Sequence, residues 1–90
     1  MDLLKDIESA LLLCRSEQKR EGAKEYIAPI VDILERMRLV VNNELKHDNQ
    51  QRSSTATALG RLVMDDFSFS ESEIGEMILK IASSFRRSRS

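Results

Sequence analysis

The segment FSESEI at residues 69–74 contains every element of a helix start. The Ser70 hydroxyl can accept from the amide of Glu73, the Glu73 carboxylate can accept from the amide of Ser70, and Phe69 can contact Ile74 across the cap. Behind this cap, apolar residues recur at the spacing of one helical face; they are Ile74, Met77, Ile78, Ile81, Ala82 and Phe85. The segment therefore predicts an amphipathic helix that is the last of the chain and ends at about Phe85.

The first part of the chain predicts another helix, over residues 2–21. Its apolar positions fall on one face, and Gly22 follows a charged stretch as a left-handed stop. The repeating residues are Leu3, Ile7, Leu11 and Cys14.

A longer helix follows, in which Pro29 decides where the first turn lies. The apolar stripe consists of Ile27, Ile30, Leu34, Met37, Val41 and Leu45. We prefer a start near Tyr26, because proline is tolerated in the first turn, where its missing amide has no helical partner. The alternative is a start near Ala23, with a kink at Pro29 that costs about 3 kcal/mol.

The third predicted helix is short. Residues 47–54 are all polar and predict a solvated loop, after which Ser53 or Ser54 caps the helix. Its apolar set is Ala56, Leu59, Leu62 and Val63. Gly60 lowers its intrinsic stability by about 1 kcal/mol relative to alanine, and Asp65 and Asp66 close it.

These four helices predict an all-α fold, a small antiparallel bundle with two long and two shorter helices. A hairpin of the long helices with the smaller pair folded across it fits the spacing equally well. We expect residues 1–85 to form a single domain and residues 86–90 to form a short, disordered basic tail.

Composition limits the compartment and the partners. The formal net charge is −1, which argues against a surface built to neutralise phosphates. Cys14 is the single cysteine and cannot form an intramolecular disulfide, and the longest apolar run is too short to span a bilayer. We expect a cytoplasmic protein that does not enter a membrane.

Apolar surface on the first two helices indicates protein binding. On a helical wheel Leu12 and Leu13 lie roughly 140° and −120° from Ile7, pointing away from the predicted core. Leu39 lies similarly far from the stripe of the second helix, with Val40 at its margin. Clusters of exposed apolar residues mark partner surfaces. We therefore predict a protein-interaction module, and a homodimer as its simplest form.

Two charged segments give alternative functions. Arg86, Arg87 and Arg89 form an arginine arm that could contact phosphates in a nucleic-acid-associated regulator, with Arg52 and Arg61 as further candidates. The carboxylates at Glu71, Glu73 and Glu76 argue against a helix-turn-helix, because they would meet phosphates in the first turns of its reading helix. The acidic segment 65–76 is also compatible with a stoichiometric inhibitor or an immunity-type protein that covers a basic active site.

The sequence contains no arrangement of residues typical of catalysis. His47, the single histidine, lies in a polar segment beside Asp48, and Cys14 lies on the inward stripe of its helix. One histidine and one cysteine cannot form a structural zinc site. We predict no enzymatic activity, no cofactor, no metal and no small-molecule substrate.

Overall fold

The computed structural model describes residues 3–19, 24–46, 48–65 and 72–87. Four helices make up this part of the chain: α1 (Leu3–Gln18), α2 (Lys24–Val41), α3 (Asn49–Met64) and α4 (Glu73–Arg87). The predicted all-α helical bundle is confirmed. The described helices have 16, 18, 16 and 15 residues, so they are closer in length than the predicted two long and two shorter helices.

The helices pack in a ring in chain order. α1 contacts α2 and α4, and α3 contacts α2 and α4. Arg52, near the start of α3, lies over the ring of Phe85, near the end of α4, so these two helices run antiparallel. The start of α1 lies beside the first half of α4, where Asp6 and Glu73 line the same cavity.

Each helix places one apolar stripe in the shared core, as the periodicity predicts. α1 buries Ile7, Ala10, Leu11 and Cys14; α2 buries Ile27, Ile30, Val31, Leu34, Met37 and Val40; α3 buries Ala56, Leu59 and Val63; α4 buries Ile78, Ile81, Ala82 and Phe85.

The preferred start of α2 was wrong. The helix begins at Lys24, so Pro29 is its sixth residue and lies beyond the first turn. The alternative start near Ala23 was the closer one. Ile27 and Ile30, on either side of the proline, are buried in the core. Their burial offsets the loss of the helical hydrogen bond that the proline nitrogen cannot donate.

The end of α2 also differs from the predicted stripe to Leu45. Asn43 has a φ of 62°, the left-handed conformation that stops a helix. The amide of Glu44 donates to the carbonyl of Leu39 at 2.8 Å, and the amide of Asn43 donates to the carbonyl of Val40 at 3.2 Å. This pair of bonds is a Schellman motif, so α2 ends at Val41.

The start of α3 lies inside the predicted polar loop, which was therefore wrong. Asp48 caps the helix in a capping box: its carboxylate accepts from the amide of Gln51 at 2.7 Å, and its amide donates to the Gln51 side chain at 2.9 Å. The extra turn brings Arg52 into the core, with 3% of its surface exposed.

The cap of α4 is Ser72 rather than Ser70. The Ser72 hydroxyl accepts from the amide of Gly75 at 3.0 Å, and the helix begins at Glu73. The predicted cap residues Phe69 and Ser70 lie outside the described residues, as does the predicted stop at Gly22. α4 continues to Arg87, so the first two residues of the predicted tail are helical.

Within the described ranges, none of the four helices combines the length and the apolar character needed to cross a membrane.

Candidate functional site: two surfaces of the bundle

The outer face of α1 carries two exposed leucines. Leu12 is 69% exposed and Leu13 is 39% exposed, as their positions on the helical wheel predict. The core residues of α1, among them Ile7 and Cys14, lie on the opposite side of the helix. Leu12 therefore projects from the middle of a helix whose inner face is fully packed.

Charged side chains flank Leu12. Glu8 and Arg15 lie one turn from Leu12 in each direction and are exposed. Arg15 also forms a hydrogen-bonded ion pair with Glu35 of α2, which holds its guanidinium at the α2 side of α1. We call Leu12, Leu13 and these flanking charges the α1 face.

The predicted contribution of α2 to this surface was partly wrong. Val40 is only 3% exposed and belongs to the core, because it lies one turn beyond Met37 on the buried side of α2. Leu39 is half-buried, and its carbonyl accepts the closing bonds of the helix end. Val40 offers no surface to a partner, so the exposed apolar site centres on α1.

The arginines of the predicted phosphate-binding arm have partners in the fold. Arg86 donates to the Thr57 hydroxyl of α3 at 2.8 Å, and the Nε of Arg87 donates to the Ser83 carbonyl at 3.4 Å. Arg52 is buried against Phe85, with its guanidinium 4.9 Å from the ring centre, so it cannot reach a phosphate. Arg89 lies outside the described residues.

The acidic segment contributes to a cavity of about 280 Å³ between α1 and α4. Asp6, Glu73 and Glu76 line it together with Lys80, over an apolar floor of Met77 and Ile81. Asp65 is also exposed, whereas Asp66 and Glu71 lie outside the described residues. Among the residues described, no group of three or more His, Cys, Asp or Glu side chains has the arrangement of a metal site.

Sequence reasoning missed a groove of about 350 Å³ on the outer side of α3 and α4. Its lining includes the apolar Met64 and Leu79 and the charged Arg61 and Arg86. The remaining lining residues are Ala56, Thr57, Gly60, Ala82 and Ser83. We call it the α3–α4 groove. The signal in the sequence was Gly60 within a run of Ser, Thr and Ala.

The Cys14 thiol is unsuited to nucleophilic chemistry. It is fully buried, and burial raises its pKa from 9.0 to about 11, with a smaller contribution from the negative charge of Glu17. At neutral pH the thiol stays protonated and packs as a small apolar group. His47 lies outside the described residues.

Comparison with protein-family models, with curated proteins and with solved structures found no match for this chain.

Proposed function

We propose that the protein is a non-enzymatic interaction module that binds another protein chain through the α1 face. The observation that supports this proposal is the exposure of Leu12, 69%, beside Leu13 in the middle of a helix. Exposed single apolar residues are common, whereas adjacent large ones on a regular helix favour a partner surface. A second copy of this chain is the first partner to test.

The expected energetics follow from burial of the two side chains. Full burial of a leucine side chain contributes about 1.5–3 kcal/mol, and about 1.4 kcal/mol corresponds to a tenfold change in Kd. The two leucines would act as central anchors. Glu8 and Arg15 would flank Leu12 and select partners by charge.

The test uses the double variant Leu12→Glu with Leu13→Glu. We expect association to weaken at least tenfold, because two carboxylates cannot enter an apolar contact without losing their hydration. The mass of the protein in solution is measured by light scattering on a sizing column over a hundredfold range of concentration.

The matched control is the double variant Leu45→Glu with Ala58→Glu. Leu45 is 38% exposed and Ala58 is also exposed, so the control adds the same charge at exposed apolar sites away from α1 and outside the α3–α4 groove. A dimer that the leucine variant dissociates and the control leaves intact supports the proposal. A dimer that persists in the leucine variant contradicts it.

A monomer at every concentration would exclude a second copy as the partner. Affinity capture from the source cell with the same two variants then separates the remaining outcomes. A partner that wild type and control retain and the leucine variant loses supports the α1 face, and a partner that all three retain contradicts it.

A further inference from the structure

Gly60 is an unusual residue for its position in α3. Glycine in a helix interior is less favourable than alanine, so it commonly serves a close approach of another group. A Cβ placed on Gly60 would meet nothing within 4 Å, so packing within the described chain does not require a glycine there. The missing side chain instead deepens the α3–α4 groove.

The small residues that line the groove would allow a helix to dock there. Ala56 and Gly60 lie one turn apart on α3, opposite Ala82 and Ser83 of α4. Small residues at this spacing allow the backbone of a third helix to approach closely along the groove. Met64, 63% exposed at one end, provides an apolar wall that adapts to its contact because methionine has several flexible bonds.

The charges of the groove are of one sign. Arg61 and Arg86 line it, and its described lining residues include no carboxylate. The hydrogen bond to Thr57 holds the Arg86 side chain at the level of that residue. Thr57 is one helical turn, about 6 Å along α3, from Arg61. Two carboxylates one turn apart on a docked helix would match these two guanidinium groups.

We propose that the α3–α4 groove binds an amphipathic helix of a different protein, with small apolar residues on one face and carboxylates at i and i+4 beside it. The small and apolar lining residues favour such a helix over a phosphate backbone, which would use only the two arginines. A second copy docked symmetrically would place Arg61 and Arg86 near their own equivalents, which is unfavourable. This proposal is independent of Leu12 and Leu13.

The test selects binders to the full chain from a displayed library of 18-residue helices. The inward positions are drawn from Ala, Ser, Leu and Met, and the flanking i and i+4 positions from Glu, Gln and Lys. We expect Glu-flanked peptides to be enriched and to bind at least ten times more tightly than their Gln-flanked versions. The affinity is measured by fluorescence anisotropy of the labelled peptide.

Variants of Gly60 separate binding from folding. Gly60→Leu fills the groove and should weaken binding of the selected peptide at least tenfold without lowering the melting temperature. The control Ala58→Leu adds the same side chain at an exposed position of α3 outside the groove and should leave binding unchanged. Gly60→Ala should raise the melting temperature by about 4–8 °C, since it removes the helix penalty and its Cβ enters open space.

Charge reversal tests the electrostatic part. Arg61→Glu and Arg86→Glu should each lower the affinity for Glu-flanked peptides and raise it for Lys-flanked ones. The proposal is overturned if no peptide is enriched, if enrichment shows no charge preference, or if Gly60→Leu binds as well as wild type. Two other results overturn it as well. One is that the protein binds a 16-base-pair DNA duplex and needs both arginines to do so. The other is that the protein forms a homodimer that Gly60→Leu dissociates.

Discussion

The two halves of the bundle bury different kinds of residue. In the α1–α2 half, α2 alone contributes six apolar side chains to the core, and α1 adds four smaller or aliphatic ones. In the α3–α4 half, α3 contributes three apolar side chains and α4 contributes four, and the buried Arg52 lies over the ring of Phe85. The described core of the first half therefore contains no aromatic ring and no charged group, whereas in the second half a ring and a guanidinium pack against each other.

Truncation of Phe85 should have the largest effect on stability. Phe85→Ala removes the largest buried side chain and leaves the Arg52 guanidinium without its ring, so we expect a loss of about 3–5 kcal/mol. A chain of this length has about 5–13 kcal/mol of stability, so much of it would be lost. Urea unfolding followed by circular dichroism measures the change.

The variant Phe85→Leu separates the ring from its volume. It retains aliphatic packing in the core but removes the aromatic face under Arg52, and we expect it to cost less than Phe85→Ala, about 1–2 kcal/mol. If both variants cost less than 1 kcal/mol, the α3–α4 half does not depend on this contact, and the contrast between the halves is incorrect.

The buried thiol of α1 should make the first half sensitive to alkaline pH. Burial raises the pKa of Cys14 to about 11, while the thiol of the unfolded chain ionises near its ordinary value of 9.0. Between these values the unfolded chain binds fewer protons than the folded one. The free energy of unfolding therefore falls as pH rises from 9 to 11, by up to about 1.4 kcal/mol per unit.

The variant Cys14→Ala isolates this effect. It loses packing at neutral pH but has no thiol to ionise, so its stability should approach that of wild type as pH rises through the window. Urea unfolding of both proteins from pH 7 to 11 measures the difference between their free energies of unfolding. All other titrating groups contribute equally to the two proteins, so their contributions cancel in this difference. A difference that stays constant across the window would contradict a raised pKa for the buried thiol.

Helix number and buried faces could be predicted from the sequence, because a helix of period 3.6 must place its apolar residues on one side. The stripe of Ile78, Ile81 and Phe85 was predicted correctly. Helix ends were less predictable. The capping box of Asp48 and Gln51 was present in the sequence, but the polar residues around it favoured a loop, and burial of Arg52 required the tertiary structure.

The surfaces show the same limit. Exposure of Leu12 and Leu13 follows from their angle on one helix, so it was predicted from the sequence. The α3–α4 groove depends on which faces of two helices lie side by side, and the residues of either helix alone do not determine this. Val40 was assigned to the surface because it lies at the margin of the predicted stripe of α2. The structure instead buries residues at a spacing of three towards the end of this helix, at Leu34, Met37 and Val40.

The smallest effect should come from the ion pair that joins α1 to α2. Arg15 and Glu35 are about half exposed, at 52% and 40%, so water and salt screen their attraction and we expect Glu35→Gln to cost less than about 1 kcal/mol. The double-mutant cycle with Arg15→Gln gives the coupling, which should vanish in 1 M NaCl. A coupling above about 1.5 kcal/mol that persists in salt would mean that a charged contact stabilises the α1–α2 half too, as the Arg52 contact does in the α3–α4 half. Otherwise α1 and α2 are held by their shared apolar core, and Arg15 is free to exchange Glu35 for a carboxylate of a partner at the α1 face.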